Sequence, residues 1–429
     1  MKLADALLPF VISGQRLASI QGLALLSFFY QLTGQHLHMA HIRGLLVQLA
    51  MSTGLHRHSR RFKFPIGEVE MRRRLWWWIY IVDKSVSQHR KYDSSSGSRS
   101  CRLTAIVHGL PRMINDVDVD VDYPTDCDLD TLSVTDLPIP LPGESTPVLE
   151  FITFAHLSRI MSTTLSQLYT TTDRRGGEEK ISRLRRDLQA WKHRFGCSSE
   201  NQVATGHTGS MTTPPLMQLW LPLMENVTLL LINRPGLTFD ADTTAFQECL
   251  NVCTETCSTI VAIIRDYHKQ VPINALVPPS NSLIFQCALM HVFYHCQGQD
   301  SHSTARIPVS ASAELVKECI EILSANVADL SDDRSSSLHA SVLNCTSLLR
   351  VLYNTVFTEN STVGEDRSSI FGSPELATVL EPNNAYPESS PGMPDTSGGN
   401  ALESLNHLDW LDWIVDSEIS PFHLSSVDF

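Results

Sequence analysis

Glu68-Val69-Glu70-Met71-Arg72-Arg73-Arg74-Leu75-Trp76-Trp77-Trp78-Ile79-Tyr80-Ile81-Val82-Asp83 is the stretch on which the reading of this chain turns. Glu68 to Arg72 and Glu70 to Arg74 are i,i+4 pairs in the favourable order, so the segment reads as a helix. Three consecutive tryptophans cannot share one helix face, so this helix should be buried nearly all round. Just upstream, Ile42, Leu45, Leu46, Leu49 and Ala50 form an apolar helix face that runs into Gly54. Gly54 is the natural left-handed residue after a helix end, and Leu55 should fold back as the hydrophobic contact of that cap.

Outward from this core, apolar residues recur at three- and four-residue spacing near 16–32, 36–53, 67–86, 148–170, 179–195, 214–233, 241–268, 281–297, 312–330 and 336–357. One stripe is Phe246, Leu250, Cys253, Cys257, Ile260 and Ile264. Strand signals are nearly absent, the exception being Val117 to Asp122, which alternates with period two and could form a short extended piece. The fold class expected is all-α, a multi-helix body over residues 1–357. Residues 88–107 carry Ser, Arg and Lys without periodicity and read as a loop. Residues 358–401 hold Pro382, Pro387, Pro391 and Pro394 among Ser, Gly and Asn, a composition expected of a disordered linker. An acidic, aromatic tail, 402–429, follows.

The balance of 33 Lys+Arg against 46 Asp+Glu gives a net charge of −13. Such a body repels polyphosphate, so the chain as a whole is not expected to be a nucleic-acid-binding surface. The basic residues His56, Arg57, His58, Arg60, Arg61 and Lys63, with Arg72, Arg73 and Arg74, are expected to be solvated or paired with Glu68, Glu70 and other nearby carboxylates. Asp5, Gln15 and Arg16 interrupt the first apolar run, and no stretch reaches the roughly 18 apolar residues of a membrane span. A soluble, intracellular chain with no membrane association is expected.

No metal, cofactor or catalytic group is expected in the chain. His36, His38, His41, His56 and His58 lack Cys or carboxylate at zinc-ligand spacing. The aspartates of 116–130 fail the calcium-loop pattern, since starts at Asp116 or Asp118 put Val121 or Tyr123 where glycine is required. Ten cysteines are scattered with no C-x-x-C pair, and Cys249, Cys253 and Cys257 stack on one helix face. They read as reduced, buried thiols, and the sequons at Asn226, Asn344 and Asn360 as chance matches. None of G-x-S-x-G, H-E-x-x-H, G-x-x-x-x-G-K or G-x-G-x-x-G occurs, so an enzyme is not expected.

Taken together, Leu49 to Arg57 with Gly54-Leu55-His56, then Glu70-x-Arg72-Arg73-Arg74-Leu75-Trp76-Trp77 and Ile81-x-Asp83, resemble the signature of the middle homology region of fungal zinc binuclear cluster transcription factors. Gly109-Leu110-Pro111, the acids from Asp116 to Pro124 and the helix closing in Arg234-Pro235 are similar to its continuation. The resemblance implies an all-helical regulatory domain without chemistry, a nuclear location, and zinc and DNA binding only through a cysteine-rich module that is missing from this sequence. It leaves a homodimer or another zinc-cluster regulator as partners. In the family Gly-x-Pro follows soon after the Asp; here 88–107 intervenes, as a lineage-specific loop or as translated intron sequence. A truncated or mis-spliced gene model and a protein that has lost its DNA contact both remain open.

In the tail, Leu408, Trp410, Leu411, Trp413 and Ile414 interleave with Asp409, Asp412 and Asp416. This reads as an activation segment that a coactivator groove takes up as a helix. The other reading is a C-terminal helix docked on the chain's own core. A cluster-less cofactor or dominant-negative partner, and less readily a helical enzyme, are the alternatives for the chain as a whole.

Overall fold

The computed structural model describes residues 16–32, 36–58, 64–86, 113–127, 147–169, 175–195, 216–268, 280–297, 307–329 and 337–358. The insert at 88–107, Gly109, Pro111, the 359–401 stretch of the linker and the 402–429 tail lie outside these residues, as do Cys101, Cys197 and Asn360.

Ten α-helices carry the described chain: α1 (Leu17–Leu32), α2 (His36–Ser52), α3 (Ile66–Val86), α4 (Pro147–Leu168), α5 (Gly177–Phe195), α6 (Leu216–Asn233), α7 (Thr244–His268), α8 (Ser280–Gln297), α9 (Val309–Asp329) and α10 (Ser337–Tyr353). Among the described residues there is no strand. No described helix is long and apolar enough to cross a membrane.

The described residues divide into two compact units. The first holds α1 to α6 and the segment 113–127, with the last turns of α7 from residue 262 grouped with it. Here α1 packs on α2, α3 on α4, and α4 on both α5 and α6. The amphipathic α5 buries Ile181, Leu184, Leu188 and Trp191 and turns its charges outward. Trp191 Nε1 donates to Thr153 O at 3.1 Å, which pins α5 to α4.

The second unit holds α7 up to Val261 with α8, α9 and α10. The α7 stripe is as the spacing requires, with Phe246, Leu250, Cys253, Cys257 and Ile260 all buried. His291 on α8 stands between Ser258 Oγ of α7, 3.1 Å from Nε2, and Ser312 Oγ of α9, 3.3 Å from Nδ1. Asn326 of α9 and Asn281 of α8 close the same packing with a 2.6 Å hydrogen bond.

All eight described cysteines are free thiols, seven of them buried. Burial pushes the Cys287 and Cys319 thiols well up and Cys345 to about 12, the reverse of what a thiolate chemistry needs. Asn226 lies inside α6 with its amide donating to Pro222 O at 2.8 Å, and Asn344 lies inside α10. Helical asparagines of this kind are poor glycan acceptors.

The alternation of Val117 to Asp122 does not give one extended piece. Asp116–Asp118 is a 3₁₀ turn, capped by the Asn115 side chain accepting from Val117 N. Extended backbone begins only at Val119, with φ −104° and ψ 110°. The local Asn cap outweighs the period-two pattern there.

Candidate functional site

The residues singled out around Gly54 and along α3 converge on the acidic segment 113–127, which they hold against α2 and α3. The assembly starts at the end of α2. Gly54 has φ 70°, its N–H bonds Met51 O at 3.0 Å, and Leu55 N bonds Ala50 O at 3.0 Å. That pair of bonds is the Schellman closure, and Leu55, 1% exposed, is its hydrophobic contact.

The cap aims the next residue at the acidic segment. His56 O accepts from both Asp120 N (3.1 Å) and Val121 N (3.3 Å), and its ring lies 5.7 Å from that of Trp76. Burial and the neighbouring Arg57 lower the His56 pKa, against the opposing pull of Asp120 and Asp118. His58 N donates to Asp120 Oδ1 at 2.8 Å, and His58 Nε2 is 2.9 Å from Asp122 Oδ2.

On α3 the three arginines diverge, as their 100° steps require. Arg72 donates to Thr53 O at 2.8 Å and lies over the Phe64 ring at 4.6 Å. Its hydrogen bond thus seals the α2 end, while Glu68 acts on it through charge alone among the contacts described. Arg73 reaches Asp122 Oδ2 at 2.7 Å. Arg74 bonds Glu70 at 2.9 Å and donates to Cys127 O. Glu70 is 1% exposed, and both its oxygens accept from Thr125 N, at 3.0 and 3.2 Å.

Trp76 and Trp77 are fully buried while Trp78 is only partly so, close to the burial expected of the row. Trp77 Nε1 donates to Asp122 O at 3.0 Å. Its ring stacks on Tyr123 at 4.2 Å, and Tyr123 stacks in turn on His156 at 3.8 Å. The Arg159 guanidinium sits 5.3 Å from the Trp77 ring centre. Burial, then Arg194 and Arg159, bring the His156 pKa down to about 4, so the ring is neutral in the stack.

At the far end of α3, Asp83 is fully buried and accepts from Met113 N (3.2 Å) and Ile114 N (3.3 Å). Arg43 NH1 and Lys84 Nζ lie 3.7 and 3.5 Å from its carboxylate. Lys84 also donates to Ile114 O at 2.6 Å, and Tyr80 OH donates to Asp116 Oδ1 at 2.7 Å. Met113, so placed, borders an open groove of about 780 Å³ over α2 beside Gly44, Leu45 and Met51.

His58 and Arg73 thus pair with Asp122, and Lys84 and Tyr80 with Asp116, whereas Arg72 is held by Thr53 O and Arg74 by Glu70 and Cys127 O. Of the expected site residues, Gly54, Leu55, His56, Arg72, Arg73, Arg74, Trp76, Trp77 and Asp83 are brought together; Gly109, Pro111, Leu408, Trp410, Leu411, Trp413 and Ile414 fall outside the described residues. Arg43, Tyr80 and Lys84 belong to the same assembly and were missed as site residues, whereas Glu70 holds Arg74 as its i,i+4 spacing required. Arg43 had a signal, since it shares the stripe 43, 46, 47, 50 with Leu46, Val47 and Ala50, and all four are buried. Among the described residues no group of three His, Cys, Asp or Glu is placed to hold a metal ion.

Residues 3–89 match the model of the fungal specific transcription factor domain, a span that includes Gly54 through Asp83 and ends before Gly109. Transcriptional activator protein acu-15 of Neurospora crassa is 25% identical over 261 residues, 59% of this chain and 26% of that protein. An uncharacterized transcriptional regulatory protein of Schizosaccharomyces pombe is 29% identical over 190 residues, 44% of this chain and 21% of that protein. The chain thus spans about a quarter or less of the length of these relatives. No solved structure matches it at significance.

Proposed function

We propose that this chain, whose residues 3–89 match the model of the fungal specific transcription factor domain, is the regulatory and effector part of a transcription regulator acting in the nucleus on RNA polymerase II genes. The observation that supports this most is the coincidence of the family match with the clamp. The matched span contains most of the residues that hold segment 113–127, with His156 and Arg159 of α4 adding to them, and Arg73, Arg74 and Lys84 pair there with Asp122, Glu70 and Asp83. Such pairing supports the reading of the body as a scaffold for regulation.

On this reading the body answers a signal or partner and governs the exposure of the 402–429 tail, a shift between masked and free populations. The tail recruits coactivators through Leu408, Trp410, Leu411, Trp413 and Ile414, and DNA contact, with its zinc, comes from a separate module. The second reading is a cofactor that binds another zinc-cluster regulator without touching DNA, which the acidic charge of −13 favours for this sequence taken alone.

A fusion of the full chain to a heterologous DNA-binding domain tests the proposal. Activation of a reporter that is lost on truncation at residue 401, and on joint Trp410→Ala and Trp413→Ala substitution, is the expected result. A silent fusion that still co-precipitates a zinc-cluster protein would favour the cofactor reading.

A further inference from the structure

From Ser182 to Phe195, α5 carries five Lys and Arg against one acid, Asp187, in a chain of net charge −13. The charge is gathered on one side. Ile181, Leu184, Leu188 and Trp191 are buried, while Arg183, Arg186, His193 and Arg194 are exposed on the other side, around the small Ala190. At 1.5 Å of rise per residue, Arg183 to Arg194 covers about 16 Å of helix. The positive field reaches the neighbouring helix, where Arg194 helps to expel the His156 proton.

Helix stability accounts for the two ends of α5 only. Glu178 and Glu179 in the first turn and Lys192, His193 and Arg194 in the last suit the helix dipole, but Arg183 and Arg186 lie between them, where the dipole gives them nothing. Nor do local carboxylates hold these arginines. Arg183 donates to the Gln167 amide oxygen, Arg186 donates to Ser182 O at 3.4 Å, and Arg194 lies 5.1 Å from the Phe195 ring centre. Among the described residues none of the three makes an ion pair, whereas Lys192 pairs with Glu225 at 2.8 Å.

We propose that the outward face of α5 lies on the sugar-phosphate backbone of DNA, through Arg183, Arg186 and Arg194. The proposal rests on the reading of the chain as the body of a transcription regulator, for which DNA is the polyanion at hand. All three cations are arginine, whose guanidinium group matches phosphate oxygens two at a time. Such contacts fix position and read no sequence. The net charge of −13 belongs to the whole chain. At physiological salt, acids farther than about 8–10 Å from the face are screened from a phosphate bound there.

Fluorescence anisotropy of a labelled duplex of arbitrary sequence, titrated with the full chain from about 50 to 200 mM salt, tests it. Weak binding is expected at the low end, with a Kd on the order of 10 µM and a slope of log K against log salt of about −3. Arg183→Gln, Arg186→Gln and Arg194→Gln together should abolish binding, each lost phosphate contact taking about 0.9 from the slope. Gln is nearly as good a helix former as Arg and the three positions are exposed, so the helical circular dichroism should be unchanged. Asp187→Asn, which takes the one acid off this stretch, should tighten binding severalfold. A slope unchanged by the triple substitution would place the contact elsewhere and overturn the proposal. So would an absence of binding at the lowest salt, and so would capture of poly-glutamate without the duplex, since the partner would then be an acidic protein. The reporter fusion is indifferent to these arginines, because its foreign module supplies the DNA contact, so the two readings fail separately.

Discussion

In the first unit, buried charged groups take part in joining distant stretches of chain. Asp83, Glu70, Arg43 and Lys84 are each 2% exposed or less and meet across 30 to 55 positions of sequence. In the second unit the corresponding buried contacts are neutral, with His291 between two serines and Asn281 on Asn326. The two solutions fail differently. A buried charge left without its partner is expensive, whereas a thiol or hydroxyl lost from a helical core leaves only a small void.

Asp83→Ala should break the contrast most sharply. It removes the buried carboxylate beside Arg43 and Lys84 and the acceptors of Met113 N and Ile114 N, so a loss of about 3–5 kcal/mol is expected in denaturant unfolding. The second unit has its own weak point, and it is acid. Burial lowers the His291 pKa to about 4, so the folded ring is neutral while the unfolded chain takes up a proton below the ordinary value near 6.5. That contribution is complete above about pH 6.5 and is lost as pH falls toward 4, up to about 3 kcal/mol. His291→Gln should therefore flatten the acid limb of the stability profile.

Smaller effects sharpen the comparison. Gly54→Ala forces a side chain into a left-handed conformation with nothing near its Cβ, a pure backbone cost of about 1–2 kcal/mol visible as a lowered Tm. Cys287→Ala in the second unit should cost only about 1 kcal/mol in the same assay, by the loss of one buried sulfur.

The contrast also explains what the sequence disclosed. Helical spacing located the ten helices, and Gly54-Leu55 announced its cap, because both are local properties written within a few residues. The tryptophan row announced its burial for the same reason. The pairing of Arg73 and His58 with Asp122 was not legible, since it depends on a return of the chain, across 49 positions in the case of Arg73. The Val117 to Asp122 alternation misled because Asn115 caps a turn there. In the second unit no motif marks His291, as Ser258 and Ser312 reach it from other helices and serine is common on helices generally.

The central claim is that the signature residues are a clamp on segment 113–127. Hydrogen exchange at the backbone amides of Ile114, Asp120, Val121 and Thr125 reads it directly, because each of these N–H groups donates to Asp83, His56 or Glu70. The clamp predicts slow exchange at all four, with Asp83→Ala releasing Ile114 while amides of α8 and α9 keep their protection. Exchange at the rate of an open loop in the unmodified protein would contradict it.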